Sequence, residues 1–217
     1  MGESPLRGRF VTIEGGEGAG KTTQTALLVP ALVRAGIAAD RTREPGGSPG
    51  AEDIRGLLLA GSSERWDAIS EALLLYAARR DHMLRLIRPA LDAGTWIVAD
   101  RFSDSTLAYQ GYARGLPLDD LVGLHRIALG DFVPDLTIIL DLPVEEGLAR
   151  AGRRSLITDR FEQLEHEFHR RVREGFLTIA KANPRRCVVI DATADLSTVH
   201  TAVLGAVVER LEVNLGR

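Results

Sequence analysis

The sequence has little of what marks secreted, membrane-spanning or nucleic-acid-binding proteins. Its one cysteine, Cys187, can form no internal disulfide and lies in an apolar run, which favours a buried strand thiol over a reactive one. No apolar run is long enough to cross a bilayer, and the start, MGESPLRGR, has no apolar signal-peptide core. The net charge of −3 provides no basic field for nucleic acid. We therefore expect a cytoplasmic protein with no membrane and no nucleic-acid partner.

The chain also lacks internal repeats, low-complexity tracts and linkers. Its 217 residues are enough for one domain with an ample core, and 45% hydrophobic with 26% charged residues is an ordinary balance for such a domain. We expect a disordered tail over residues 1–8 and a single domain over 9–217.

One stretch, residues 10–23, carries the clearest chemical signal. It reads FVTIEGGEGAGKTT, in which Gly15, four residues, Gly20, Lys21 and Thr22 fit the P-loop pattern. An apolar β-branched run precedes the pattern and an amphipathic helical run follows it, as a P-loop requires. A chance glycine-rich turn is the alternative, and the fixed positions with the correct flanks make it improbable. The stretch predicts a nucleoside triphosphate site.

Each P-loop residue has a physical role. The glycines let backbone N–H groups approach a phosphate, and the following helix directs its positive end at the same place. Lys21 reaches the β- and γ-phosphates, and the Thr22 hydroxyl is suited to Mg²⁺. The residues predicted to hold the ATP phosphates are Gly15, Gly16, Glu17, Gly18, Ala19, Gly20, Lys21, Thr22 and Thr23.

Strand-like and helix-like segments alternate along the chain, which predicts a parallel sheet covered on both faces. The fold we predict is an α/β P-loop kinase three-layer sandwich with a five-stranded parallel sheet. The predicted strands are 10–13, 37–42, 95–100, 136–141 and 187–191. The predicted helices after the P-loop helix are 50–60, 67–93, 103–110, 118–130, 144–151, a long helix from 161 to about 179, and 196–211.

Two further features lie where strands of such a sheet end. Asp100 ends a predicted strand, the usual place for a carboxylate that holds Mg²⁺ beside a P-loop. A helix N-cap or an ion pair with Arg101 is the alternative for Asp100. The turn-forming loop 42–47 is a second candidate site, although Arg43 and Glu44 are equally compatible with a solvated surface pair. Taken alone, Arg79 on its helix is expected to be solvated.

The other motifs and the length of the chain indicate which class of P-loop protein this is. A GTPase needs an Asn-Lys-x-Asp guanine reader, and none occurs; a helicase or motor would be longer. A basic segment at about 152–159 suits a kinase lid, which brings positive charge onto the γ-phosphate and keeps water out.

Several separated motifs then resemble the thymidylate kinase family of the bacterial type, from about residue 9 to 211. They are EGGEGAGKTT over 14–23, TREPGG over 42–47, YAAR over 76–79, DRF over 100–102 with Ser105, Ala108, Tyr109 and Gln110, PDLT over 134–137, and DRFE over 159–162. The resemblance implies transfer of the γ-phosphate of ATP to dTMP, with ATP and Mg²⁺ as cofactors and a homodimer as the assembly. The apolar faces of residues 50–90 and 118–130 are the candidate interface.

The resemblance also implies residue roles. Glu17 is placed near the sugar 3′-hydroxyl, Tyr109 near the deoxyribose, and Thr106 and Gln110 near the thymine. Arginines surround the dTMP phosphate and base, as suits a dianion. The residues implied to bind dTMP are Glu17, Arg43, Leu75, Tyr76, Arg79, Arg101, Ser105, Thr106, Tyr109, Gln110 and Glu162.

Catalysis is expected to use Lys21, Glu17, Arg101 and a lid arginine. The family has one version with a catalytic arginine in the P-loop and one with it in the lid; here the P-loop has none. Arg154 is therefore our first choice and Arg153 the second. The family usually has Phe where this chain has Leu75, so either Leu75 or the adjacent Tyr76 contacts the base. A kinase for another nucleoside monophosphate, or a non-catalytic ATP-binding regulatory protein, is the alternative function.

Overall fold

The structure, a computed structural model, describes residues 7–62, 64–152 and 166–215. Arg153, Arg154 and Glu162 lie outside the described residues, as do most of the predicted lid and residues 1–6 of the predicted tail. Gly8 is described, and its N–H donates a 2.8 Å hydrogen bond to the carbonyl oxygen of Leu91.

The described residues form a parallel sheet of five strands in the order β2-β3-β1-β4-β5. Each strand pairs in parallel with its neighbours, so all carboxyl ends lie along one edge. The P-loop strand β1 is central, and the chain crosses from one side of it to the other between β3 and β4. Ligands bind at such a switch point in open α/β sheets. The strands are β1 Phe10–Gly15, β2 Ala39–Arg43, β3 Trp96–Asp100, β4 Leu136–Asp141 and β5 Cys187–Asp191.

Helices cover both faces of this sheet, as the alternating pattern predicted. On one face α1 and α9 pack on Val11 and Ile13 of β1, and on the other face α8 and the segments around residues 83–92 and 107–113 pack on the alternate residues. The three-layer α/β prediction is confirmed. The helices are α1 Lys21–Arg34, α2 Pro49–Leu59, α3 Ala68–His82, α4 Arg88–Asp92, α5 Ser103–Thr106, α6 Leu118–Leu129, α7 Val144–Gly152, α8 His166–Ala182 and α9 Leu196–Leu211.

Two predicted helices contain π-helical segments that a 3.6-residue period does not anticipate. Met83–Ile87 joins α3 to α4, so the predicted helix over 67–93 is continuous but locally widened. Leu107–Ala113 follows α5 and carries the predicted helix over 103–110 three residues further. The wider π-helical turn follows Ser105 directly, and Ser105 and Gln110 both line the same cleft. This second segment therefore aims several side chains at the carboxyl edge of the sheet.

Candidate active site

The loop between β1 and α1 forms the floor of the site. It turns at Gly18 (φ 67°) and Gly20 (φ 93°), where a left-handed backbone favours glycine. A β-carbon on Gly18 would lie 2.0 Å from the carbonyl oxygen of Gly147 in α7, so the loop can approach α7 only without a side chain there. The loop leads directly into α1, whose first residue is Lys21. The N-terminal N–H groups of this helix and its dipole therefore favour an anion above the loop.

Lys21 is the cation of this loop. Its ammonium group donates hydrogen bonds to the carbonyl oxygens of Gly15 (3.1 Å) and Gly16 (2.7 Å), and the residue is buried. Burial, together with the charge of Arg101, lowers the pKa of Lys21 to about 8, although the carboxylate of Glu17 opposes the change. A phosphate bound at this point would supply a negative counter-charge for the ammonium group.

Thr22 and Asp100 place a hydroxyl and a carboxylate side by side. The Thr22 hydroxyl in α1 donates a 2.5 Å hydrogen bond to Oδ2 of Asp100 at the end of β3. Hard oxygen donors of this kind match Mg²⁺, which normally keeps water and substrate oxygens as its other ligands. Over the described ranges, no group of three His, Cys, Asp or Glu side chains could hold a metal by itself. The remaining ligands of a magnesium ion at this pair would therefore be water and phosphate oxygens.

Arg101 is the centre of a hydrogen-bonded cluster beside the P-loop. Its backbone is left-handed (φ 72°), which directs the side chain back toward β1. The guanidinium donates to the Glu17 carboxylate (2.8 Å), to the Tyr109 hydroxyl (2.9 Å) and to the Ser105 hydroxyl (3.2 Å). The Tyr109 hydroxyl in turn donates to Glu17 over 2.6 Å.

The Glu17 carboxylate is kept ionised by its neighbours. Its burial raises the pKa of Glu17, but Arg101, Lys21 and the Tyr109 hydroxyl outweigh that effect and lower the pKa to about 2. The carboxylate is therefore a fixed hydrogen-bond acceptor at every physiological pH. An acceptor next to the phosphate-binding loop is suited to holding a substrate hydroxyl.

Arg79 belongs to a second, fully buried cluster. Its side chain is 2% exposed, and its Nε donates over 2.6 Å to Glu44, which also contacts Nδ1 of His82 at 3.1 Å. The other two nitrogens donate to the Thr106 hydroxyl and the Phe102 carbonyl oxygen, both at 3.1 Å. The expectation of a solvated Arg79 is wrong, because four elements close around the side chain.

The loop 42–47 has a different pairing from the predicted surface pair. Glu44 is buried and binds Arg79, whereas one guanidinium nitrogen of Arg43 donates to both carboxylate oxygens of Glu52, each at 3.0 Å. Arg43 and Glu44 are consecutive residues at the end of β2, so their side chains leave on opposite sides. Arg43 is thereby directed toward solvent over the cleft, while Glu44 anchors the cleft wall from behind.

These clusters line one cleft of about 590 Å³ at the carboxyl edge of the sheet. Most of the residues singled out from the sequence meet there, although they come from the P-loop, α1, β2, α3, the end of β3, α5 and the second π-helical segment. The predicted residues on its wall are Glu17, Lys21, Thr22, Arg43, Leu75, Arg79, Asp100, Arg101, Ser105, Thr106, Tyr109 and Gln110.

Leu75 and Tyr76 differ in position. Leu75 lies on the cleft wall, whereas the Tyr76 ring is buried, packs 4.9 Å from the Arg79 guanidinium and meets His125 edge-on. Consecutive helix residues point about 100° apart, so only one of the two can face the cleft. This geometry favours the apolar contact by Leu75 and gives Tyr76 a supporting position behind Arg79.

Sequence reasoning missed four polar residues of this region. Glu44 is the counter-ion of Arg79, and Arg55 of α2 lines the cleft while donating to the carbonyl oxygen of Pro45. Glu14 is fully buried and accepts hydrogen bonds from the Phe102 N–H and the Ser105 hydroxyl, and burial raises its pKa to about 7. Glu71 binds Gln110. Glu44 and Glu14 lay in segments already identified as candidate sites but were given no role, whereas Arg55 and Glu71 carried no local signal.

Comparisons with known proteins agree with this geometry. The sequence model of the thymidylate kinase family matches residues 13–203. A thymidylate kinase of Caulobacter vibrioides is 52% identical over 205 residues, which are 94% of this chain and 98% of that protein. A thymidylate kinase of a Bradyrhizobium species is 52% identical over 209 residues, 95% of this chain and 92% of that protein.

A solved structure supports the same relationship. The crystal structure of thymidylate kinase from Ehrlichia chaffeensis superposes with a TM-score of 0.72 at 36% sequence identity, covering 92% of this chain and 98% of that one. This chain belongs to the thymidylate kinase family.

Proposed function

We propose that this chain transfers the γ-phosphoryl group of ATP to dTMP, and that the cleft beside the P-loop is the dTMP site. The observation that carries the proposal is the convergence of cationic side chains, with Lys21, Arg43, Arg79 and Arg101 among them, on one cleft with an apolar wall. Such an arrangement is suited to a nucleoside monophosphate, which combines a dianion with a flat, largely apolar base.

In this proposal the P-loop binds the ATP phosphates. Its N–H groups and Lys21 hold the β- and γ-phosphates at the start of α1. Thr22 and Asp100 would hold Mg²⁺, which when bound neutralises charge on the β- and γ-phosphates. Phosphoryl transfer depends on positioning and charge stabilisation, so these residues act by fixing the γ-phosphate in line with its acceptor.

The dTMP roles follow from the two clusters. Arg101 and Arg43 bind the monophosphate, and Glu17 accepts a hydrogen bond from the sugar 3′-hydroxyl. The Tyr109 ring lies against the deoxyribose, where its bulk would exclude a 2′-hydroxyl. Arg79, with Thr106 and Gln110, faces the base edge, and Leu75 packs on the base. Tyr76 supports Arg79 rather than the base itself.

The proposal also includes a catalytic lid arginine, one further dTMP contact and a location in the cell. Arg154, or else Arg153, stabilises the transferred phosphoryl group, and Glu162 contributes to dTMP binding; all three lie outside the described residues.

None of the described helices has the length and apolar character needed to span a membrane. The cytoplasm is the proposed location, because ATP and dTMP are available there.

A homodimer is the proposed assembly. Exposed apolar side chains occur on α2 and α3 and in the first π-helical segment, and again on α6, which packs against α3. Two copies meeting through these faces would remove them from water. Light scattering of the protein and of Ile127→Asp, which charges the 84%-exposed side chain on α6, tests this proposal. A monomeric parent protein would refute it. The exposed apolar residues are Leu57, Ile69, Leu73, Leu84, Leu118, Val122 and Ile127.

ADP release with a panel of acceptors tests the reaction. We expect dTMP to be the best substrate and dUMP to be moderately poorer, because one methyl group in a pocket contributes about 1–3 kcal/mol. AMP, GMP and CMP should be poor, and dTDP should appear in equal amount to ADP. Preference for a purine monophosphate would favour the alternative kinase, and acceptor-independent ATP binding without turnover would favour the regulatory protein.

A further inference from the structure

One buried polar atom on the cleft wall has no hydrogen-bond partner among the described residues: Oε1 of Gln110. Gln110 is 1% exposed and lies in the second π-helical segment. An unpaired buried amide oxygen is costly, so a partner supplied by a ligand is the expected resolution. An amide group can flip, so that its oxygen and nitrogen change places. Some contact must therefore hold the Gln110 oxygen toward the cleft.

The answer lies in Glu71, which is fully buried in the first turn of α3. The Gln110 amide nitrogen donates a 2.7 Å hydrogen bond to Oε1 of Glu71. Arg114 forms an ion pair with the same oxygen at 3.3 Å, so both nitrogen groups around Oε1 are donors and this oxygen is an acceptor. Only the amide nitrogen of Gln110 can face Glu71, and the amide oxygen must therefore point away from Glu71.

The neighbouring residue completes a donor–acceptor pattern. Arg79 also lines the cleft and donates to the hydroxyl of Thr106, one turn before Gln110. The wall thus offers a donor, Arg79, beside an acceptor, Gln110. Thymine and uracil present a carbonyl oxygen beside an imide N–H, which is the complementary order. Cytosine presents an amino donor beside a ring-nitrogen acceptor, which is the reverse order.

We propose that Glu71 is a positioning residue for base selection, which fixes the Gln110 amide so that its oxygen selects pyrimidines with an imide N–H. This inference rests on the proposed function and adds to it the residue that sets the polarity of the base contact. Glu71 lies behind Gln110 and acts through it. Replacing the carboxylate by an amide would free Gln110 to turn over, because two amides can pair in either orientation.

The test compares steady-state kinetics with dTMP and dCMP for the parent protein and Glu71→Gln. We expect the KM for dTMP to rise about tenfold with kcat within about twofold, since the base contact is equally strong in ground and transition states. The value of kcat/KM for dCMP should stay the same or rise, so the dTMP:dCMP selectivity should fall at least tenfold.

A matched control separates positioning from general loss of structure. Asp104→Asn removes the charge of another buried carboxylate. That carboxylate accepts hydrogen bonds of 2.6 and 2.9 Å from Arg186, and not from the Gln110 amide. This variant should lose stability and keep the selectivity. If Glu71→Gln does not fold, Glu71→Asp retains the charge for Arg114 but shortens the reach to Gln110, and it should show the same loss of selectivity.

The outcomes are distinct. A folded Glu71 variant whose dTMP:dCMP selectivity stays within twofold of the parent overturns the inference. Equal losses with both substrates, as a purely structural residue would give, also overturn it. A parent protein that makes no dTDP refutes the proposed function, and this inference with it; a parent that makes dTDP leaves the function standing whatever the Glu71 variants do.

Discussion

Glu44→Gln tests the buried charge cluster that supports the cleft wall. Glu44 and Arg79 have side chains only 3% and 2% exposed, and their charged groups are 2.6 Å apart. The substitution keeps the size of the side chain and an oxygen for Arg79 but removes the negative charge. Arg79 would then be a buried cation without a counter-ion, and His82 would lose its contact with a carboxylate.

The expected magnitude follows from burial. Removing one partner of a buried ion pair costs about 3–5 kcal/mol, because the remaining charge is left without compensation. Since glutamine still accepts from Nε of Arg79, we expect the lower end, about 3 kcal/mol, or a fall in Tm of about 6–12 °C for a chain of this size. The dTMP KM should rise as well, because the Arg79 guanidinium loses the bond that fixes it.

Equilibrium unfolding in guanidinium chloride, read by circular dichroism, measures the change. Glu52→Gln is the matched control: it breaks the Arg43–Glu52 pair, whose side chains are 53% and 42% exposed, and should cost less than about 1 kcal/mol. The double variant Glu44→Gln/Arg79→Met should recover part of the loss, because the uncompensated charge is gone. A Glu44→Gln protein within 1 kcal/mol of the parent would refute the reasoning, since the pair would then behave as a solvated one.

Three further predictions concern catalysis and pH. Lys21→Ala should fold and lose on the order of 10²-fold in kcat, whereas Lys181→Ala, the other lysine of the chain, should match the parent; a normal rate for Lys21→Ala would remove it from the mechanism. Because burial raises the pKa of Glu14 from 4.5 to about 7, the folded protein binds that proton more tightly than the unfolded chain, and stability should fall as the pH rises from about 4 to about 8. Glu14→Gln should therefore gain about 3 kcal/mol relative to the parent over that range in pH-dependent unfolding, and a constant difference would contradict the assignment. Arg153→Ala/Arg154→Ala should lower kcat and kcat/KM together with unchanged ATP binding, and a kcat within about threefold of the parent would show that the transition-state charge is stabilised elsewhere.

The fold class and most of the residues of the cleft could be predicted from the sequence. The P-loop could be read from adjacent residues, because its chemistry depends on local backbone freedom and on the helix that follows at once. Strands β4 and β5 and helix α9 have the predicted bounds, since their apolar runs are bounded by clear breaks. Asp100 was identifiable because a carboxyl end of a buried strand fixes its place in the sheet.

The partners of the charged residues, by contrast, could not be read from the sequence, because they depend on how the chain folds. The residues alone left a solvated Arg43–Glu44 pair open and favoured a solvated Arg79, whereas the fold buries Glu44 against Arg79, 35 positions away. The roles of Glu14 and Glu71 were likewise invisible, because each acts on a residue that the folded chain brings close: Phe102 for Glu14 and Gln110 for Glu71. Local pattern reveals which backbone a residue favours. The effect of a charged side chain depends on its surroundings in the fold, because burial removes water and leaves one partner within hydrogen-bond distance.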